Sequence, residues 1–294
     1  MSGIHNPILA GARAFACVAM TGVLLVPALL GAAVLGWVPP WLKRAWHRGC
    51  CAIFGLEIRV HGEPALGDGT LYVANHVSYL DISVLGSVLN VPFVAKREVA
   101  SWPVIGLIGR LGQTLFVDRR TERAGTQRDA LAARLCAGER LILFAEGTSS
   151  SGDRVLPFKS ALFAALMRSD AAPSIQMQPV TIAYTRFRGG LSIGHGLRPL
   201  YAWYGDMTLL PHIWSALGLP GAEVEVWFHQ PVSASAFASR KALARHAEQE
   251  VANGLAAART AWSGPRARPV SDAWTGVNAN SSSHRLPRRN GLPI

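Results

Sequence analysis

The chain has 294 residues, room for one large domain or two small ones, and half of them are hydrophobic, with a mean hydropathy of +0.22. Its 29 Lys+Arg outweigh 18 Asp+Glu for a formal net charge of +11, a balance that suits anionic partners: phosphate-bearing substrates, acidic lipid headgroups or nucleic acid. The four cysteines, Cys17, Cys50, Cys51 and Cys136, contain no C-x-x-C pair, which excludes a disulfide scaffold and a zinc site and fits a reducing, cytosol-facing compartment.

In chain order, the first element is an uncharged run from Ala14 to Val38. It exceeds the roughly 20 apolar residues that span a bilayer and the roughly 7–15 of a signal peptide's apolar region, so it reads as a retained anchor. Pro27 and several glycines interrupt it, which leaves one kinked span or two half-helices open. Arg13 precedes the run and Lys43, Arg44 and Arg48 follow it; the positive-inside bias then puts the remainder on the cytoplasmic side of the cell inner membrane. Pro39 to Arg48 mixes tryptophans with bases, as an interfacial helix does, although an amphipathic core helix has the same pattern.

From Ile53 to Val232 strand-like and helix-like runs alternate. EIRVHG, TLYVA, PFVAK, TLFVD, LILFAEG, IQMQPVTIAY, GLSIGHG and EVEVWFHQPV read as strands. DISVLGSVL, WPVIGLIGRLG, RAGTQRDALAARLCAG and FKSALFAALMRS read as helices, and Ser239 to Trp262 as a long alanine-rich terminal helix. The pattern predicts an α/β fold, a mixed central sheet flanked by helices, behind an N-terminal membrane-anchoring segment. Residues 1–39 form the anchor, 40–262 the catalytic domain, and 263–294, rich in Pro, Ser, Asn and Arg, a disordered basic tail.

The most informative local feature is ANHVSYLD, Ala74 to Asp81. His76 falls in the loop between the TLYVA strand and the DISVLGSVL helix, where a side chain is both held and accessible. On one regular helix His76 and Asp81 would point about 140° apart, at roughly 3.6 residues per turn. With the histidine outside the helix the two can face each other, and a carboxylate on one imidazole nitrogen leaves the other free as a base. Ser78-x-x-Asp81 fits a helix-capping box equally well, with an acid in place of the usual Glu or Gln.

Three further blocks end in polar residues. GQTLFVDRR delivers Arg119 and Arg120 from a strand, LILFAEGTSS delivers Glu146, Gly147 and Thr148 into a small-residue turn, and LPFKSALF places Lys159 at a helix start. Such groups beside helix N-termini make a phosphate cradle. No metal is expected: there is no H-E-x-x-H, and the histidine–acid spacing does not build a zinc site.

In this order and spacing the blocks resemble the glycerophospholipid acyltransferase family, typified by bacterial 1-acylglycerol-3-phosphate acyltransferase. The family's N-H-x4-D motif is matched by Asn75, His76 and Asp81. Its apolar strand ending in Asp-Arg is matched by Phe116 to Arg119, and its F-P-E-G-T-R-S motif by Phe144, Glu146, Gly147, Thr148 and Ser150. Its apolar Pro-Val strand is matched by Pro179 and Val180, and the resemblance covers Ile53 to Val232. Ala145 stands where the third motif has proline and Ser149 where it has arginine, a residue linked in the family to holding the acceptor's phosphate. Tyr201 to Trp214 looks like the branch that acylates lyso-ornithine lipid, whose headgroup has no phosphate.

The resemblance implies transfer of a fatty acyl chain from an acyl-carrier-protein or coenzyme A thioester, used as co-substrate with no cofactor, to the hydroxyl of a lysolipid among membrane lipids. His76 and Asp81 are the expected catalytic pair; Arg119, Glu146, Gly147, Thr148 and Lys159 are the expected substrate-binding residues. The acceptor is expected to be 1-acylglycerol-3-phosphate, giving phosphatidate, with lyso-ornithine lipid as the alternative. No G-x-S-x-G elbow occurs to support an acyl-enzyme. A nucleic-acid-binding role is disfavoured by scattered basic residues and the lack of a C-x-x-C finger or RNP-like strand. An inactive membrane adaptor is disfavoured by the intact His76/Asp81 pair.

Overall fold

The structure, a computed structural model, describes residues 4–102, 104–117, 124–167, 175–194, 196–260 and 268–269. The polar end of the second block, with Arg119 and Arg120, lies outside these residues, as does nearly all of the segment read as a basic tail.

A mixed sheet organises the chain, with strand order β4-β3-β5-β2-β6-β7-β1-β9 and β8 paired to β6. The strands are β1 (Leu56–His61), β2 (Thr70–Ala74), β3 (Phe93–Lys96), β4 (Leu115–Val117), β5 (Leu141–Phe144), β6 (Gln176–Phe187), β7 (Ala222–Phe228), β8 (Val232–Ser233) and β9 (Arg268–Pro269). β2 is central and every one of its residues is buried, which is why TLYVA is apolar throughout instead of alternating. It pairs in parallel with β5 on one side and β6 on the other, Val73 opposite Leu143 and Pro179. β7, antiparallel to β6, alternates: Ala222, Val224, Val226 and Phe228 point inward while Glu223, Glu225 and Trp227 are partly exposed.

Helices cover both faces. One core gathers α2 (Pro40–Phe54), α3 (Leu80–Leu89) and α6 (Leu209–Leu217) against β2, β6 and β7. The other gathers α5 (Ala124–Cys136) and α7 (Arg240–Thr260) against β2, β5 and the start of β6. α4 (Ile105–Leu111) links β3 to β4. Arg44 of α2 is buried because its guanidinium donates to the carbonyls of Ser87 and Val88 at the end of α3 (3.1 and 3.3 Å), where a helix leaves carbonyls unpaired.

The N-terminal run is one continuous helix, α1 (Pro7–Leu35), with Pro27 inside it and Asn6 as N-cap accepting from Ile8 and Leu9. It is long and apolar enough to cross a membrane. One face packs on α2 and α6; the other exposes Ile8, Phe15, Val18, Val23, Val26, Leu30 and Val34.

Three local expectations change, and one element is added. GLSIGHG contributes a single bridge, Ser192 to Arg186, instead of a strand. FKSALFAALMRS forms a 3₁₀ turn, Ser160–Ala165: Lys159 N–H is tied to the Ala145 carbonyl and Phe158 N–H to Glu248, so this entry holds a short segment. EVEVWFHQPV splits in two: the His229 N–H still donates to the Pro179 carbonyl opposite it, but proline has no N–H to return, and the chain pairs with β6 again only at β8. TLLPHIW, within the segment used only for its resemblance, is the helix α6.

Candidate active site

β2, β5 and β6 are parallel neighbours, so their carboxyl ends lie at one edge of the sheet, where open α/β sheets bind ligands. Ala74 is opposite both Phe144 and Val180. The residues that follow, Asn75–His76 and Ala145–Glu146, therefore leave the sheet side by side although about 70 positions separate them in sequence.

Asn75 continues the ladder with its side chain. Its Nδ2 donates to the Ile182 carbonyl (2.9 Å) and its Oδ1 accepts from the Ile182 N–H (2.8 Å). The main chain is freed to turn at His76, whose own backbone is gripped from β5. The His76 N–H donates to Glu146 Oε1 (3.1 Å), and the His76 carbonyl accepts from the Ser150 N–H (2.9 Å) and hydroxyl (3.1 Å). The first and third motifs are thus one hydrogen-bonded unit.

The imidazole is fixed twice. Nδ1 lies 2.9 Å from Asp81 Oδ2, and the Phe144 ring stacks on one imidazole face at a centroid distance of 4.0 Å. Asp81 has no solvent exposure and accepts at both oxygens: Val77 N–H (2.7 Å) and Ser78 N–H (2.9 Å) share Oδ2 with His76, and the Tyr184 hydroxyl donates to Oδ1 (2.9 Å). An ionised carboxylate only accepts, so Nδ1 carries the hydrogen and Nε2 the lone pair. Nε2 makes no hydrogen bond among the described residues, and the His76 side chain keeps 18% of its exposure. Only the return half of a capping box is present: Asp81 reaches back to Ser78 N–H, but Tyr79 occupies the N-cap of α3 and makes no side-chain cap bond, so the carboxylate ties down the turn that enters α3 and orients His76.

Glu146 is buried, and its Oε2 has no hydrogen-bond partner among the described residues. Burial pushes its carboxyl up to about 8, partly offset by donors from His76, Leu156 and Ser150, while the Asp81 charge adds to the rise. It is therefore neutral below about pH 8 and faces the histidine's backbone. Gly147 turns with φ +70°, a left-handed conformation that glycine adopts without strain, and Thr148 and Lys159 are exposed. Arg119 lies outside the described residues, next in sequence but one after β4.

Tyr184 escaped the sequence reading, which took it as the end of an apolar strand. Burial, then the neighbouring Asp81 charge, holds its phenol well above the usual range, so it acts as a donor. The available signal was a tyrosine two residues beyond Ile182 on a buried face, where a hydroxyl requires a partner. Arg198 and Arg259 were also missed. Arg198 pairs with Asp153, and Arg259 donates to the Gly152 and Asp153 carbonyls, which braces the turn behind Ser150.

Residues 57–183 match the family model described as Acyltransferase. The chain is 44% identical over 218 residues to the lyso-ornithine lipid O-acyltransferase of Brucella abortus, covering 72% of this chain and 81% of the relative. It is 38% identical over 250 residues to that of Rhodobacter capsulatus, covering 82% and 87%. To the 1-acyl-sn-glycerol-3-phosphate acyltransferase of Neisseria gonorrhoeae it is 32% identical over 210 residues, covering 70% and 78%. Among solved structures, the 1-acyl-sn-glycerophosphate acyltransferase PlsC of Thermotoga maritima has the same fold, with a TM-score of 0.54 at 21% identity over 86% of this chain and 100% of that one.

Proposed function

This chain belongs to the acyltransferase family, and on that footing we propose that it transfers a fatty acyl chain from an acyl-carrier-protein or coenzyme A thioester to the free hydroxyl of lyso-ornithine lipid. The observation that carries the chemistry is the His76–Asp81 pair, with Nδ1 committed to a buried carboxylate and Nε2 free. Nε2 takes the acceptor's hydroxyl proton as its oxygen attacks the thioester carbonyl, and Asp81 stabilises the imidazolium. The tetrahedral carbon then expels the thiolate: a C–O bond replaces the C–S bond, and the proton passes from His76 to sulfur. Thr148, Lys159 and Arg119 hold the acceptor headgroup, and Glu146 and Gly147 shape the turn that presents them.

The acceptor preference is supported by relatives named for lyso-ornithine lipid at up to 44% identity, against 32% for the relative from Neisseria gonorrhoeae. Ser149 supports it too, since an acceptor without a phosphate has less use for an arginine there. 1-Acylglycerol-3-phosphate is the second reading, because Arg119 and Lys159 remain in the sequence. α1, long and apolar enough to cross a bilayer, supports residence at a membrane; we place it at the cell inner membrane with the catalytic domain on the cytoplasmic side.

The test is acyl transfer by membranes containing the protein, with a labelled acyl thioester and both acceptors present, against His76→Ala membranes. Labelled ornithine lipid is the expected product. Phosphatidate instead would move the assignment to the second reading, and equal product from the control would end both.

A further inference from the structure

We propose that α6 is a second lipid-contacting helix, its Leu210 and Trp214 joining Ile8 and Phe15 of α1 in one surface seated in the bilayer interface. This rests on the reading that the protein works at a membrane.

α6 has two unlike faces. Ala216 and Leu217 are buried, and His212 turns inward with Nδ1 3.3 Å from the Tyr79 hydroxyl. Outward stand Leu210, 76% exposed, and Trp214, 45% exposed, with Pro211 and Ser215 between and beside them. No Asp, Glu, Lys or Arg occurs in the helix, whereas a helix facing water normally carries charge on its outer side.

The strip is continuous with α1. A side-chain carbon at Gly11 would lie 3.9 Å from the Trp214 ring, so the indole rests against the α1 backbone there. Ile8 (84% exposed) and Phe15 (77%) lie about one turn on either side of Gly11. Arg13, the one charged residue of α1, turns away from this surface to donate to the carbonyls of Leu217 and Leu219 (3.1 and 2.7 Å) at the end of α6. Asn6 N–H donates to the Gly218 carbonyl (2.9 Å). These bonds make the start of α1 and the end of α6 one body, so lipid that meets α1 meets α6. The exposed apolar stripe runs the whole length of α1, which favours a bilayer over a compact protein partner. A tryptophan at its margin suits the interfacial zone.

The consequence for the site is direct. The Trp203 N–H, in the segment leading into α6, donates to the Val77 carbonyl beside His76 (3.0 Å). Seating α6 in the interface brings the histidine loop to the lipid surface, where an acceptor is acylated without leaving the bilayer.

The experiment uses full-length protein with Cys17→Ser and Cys136→Ser, reconstituted in phosphatidylcholine–phosphatidylglycerol vesicles. A nitroxide is attached in turn through Leu210→Cys, Phe15→Cys and, as a water-facing control on α7, Lys241→Cys. Oxygen should relax the labels at 210 and 15 more than a nickel chelate does, and the reverse should hold at 241. Chelate-dominated relaxation at 210 with oxygen-dominated relaxation at 15 overturns the α6 inference and leaves the membrane reading standing. Chelate-dominated relaxation at both overturns the two together. Broadening between labels at 210 that vanishes on dilution with unlabelled protein would assign the strip to a second copy of the chain and overturn the lipid assignment. Independently, Leu210→Glu with Trp214→Glu should lower the rate on vesicle-borne acceptor by roughly tenfold or more, the scale of losing two apolar burials, with the rate on detergent-micelle acceptor unchanged. Equal rates in the two presentations would count against the proposal.

Discussion

The loop that carries His76 and the surface formed by α1 and α6 are completed in opposite ways. Around His76 every orienting group is internal: both backbone groups are held from the β5 turn, the ring is stacked by Phe144, and the buried Asp81 accepts from four donors. On the outer faces of α1 and α6 none of the described residues provides cover, and large apolar side chains stand in the open. The site is preorganised by the chain, while under the proposal above the surface is finished by lipid. Polar substitution should therefore damage chemistry in one region without loosening the membrane, and do the reverse in the other.

The sharpest way to break the contrast is at the histidine. His76→Ala should lower kcat by roughly 10²–10⁴-fold, the usual contribution of a general base, with vesicle binding unchanged and the protein still folding cooperatively at a somewhat lower melting temperature, since the bond to Asp81 and the Phe144 stacking are lost. Near-normal turnover would remove His76 from the mechanism. Asp81→Asn should follow it in rate, because an amide does not stabilise the imidazolium, while its oxygen still accepts from Val77 and Ser78 N–H; Asp81→Ala should in addition cost about 1–3 kcal/mol of stability through those unpaired buried donors, and a stability loss with intact rate would leave Asp81 only that structural role. Tyr184→Phe tests the back of the array. A hydrogen bond to a charged group contributes about 1.5–3 kcal/mol, and if about half of it acts on the transition state kcat falls about tenfold. With one donor gone Asp81 is more basic but less firmly placed, so misalignment lowers the plateau while the acid limb of the kcat–pH profile moves to higher pH; a cavity-only effect would leave that limb in place.

Glu146→Gln refines the internal side of the comparison. The Glu146 carboxyl is raised from 4.5 to about 8 by burial, so its proton favours the folded state. That contribution is full below about pH 4.5 and is lost as pH rises through about 8. Urea unfolding of wild type should weaken across this window relative to the glutamine variant, which still accepts from His76 N–H; parallel pH curves would show that Glu146 does not carry the proton. The smallest effect belongs to Lys159→Ala. An exposed ion contact contributes about 0.2–1 kcal/mol, so KM for the acceptor should rise a few-fold at unchanged kcat, and an unaltered KM would take Lys159 out of headgroup binding.

The α/β class, the central strands and the His76–Asp81 juxtaposition were legible because each is local or periodic. TLYVA is apolar without alternation, and a histidine between strand and helix has few places to go. What stayed hidden depends on partners far apart in sequence. Tyr184 reaches Asp81 across 103 positions, and Glu146 reaches the His76 backbone across 70, which makes a residue expected to contact substrate a neutral internal brace as well. Arg44 and Arg13 looked like flanks of a membrane segment; the fold uses both to satisfy carbonyls at helix ends. α6 escaped because Pro211 sits in its first turn, where proline is tolerated, and breaks the apparent period.

The Asn75 amide carries a lesson for anyone placing a histidine where parallel strands of another sheet end. It both gives and takes a hydrogen bond with one residue of the next strand, so the sheet gains a rung without using any main chain. Aspartate could not donate to the Ile182 carbonyl, and serine is too short to span both groups. Asn followed by His is thus a transferable two-residue cassette: the first member ends the weave cleanly, and the second leaves the fabric at a set angle, ready to be aimed.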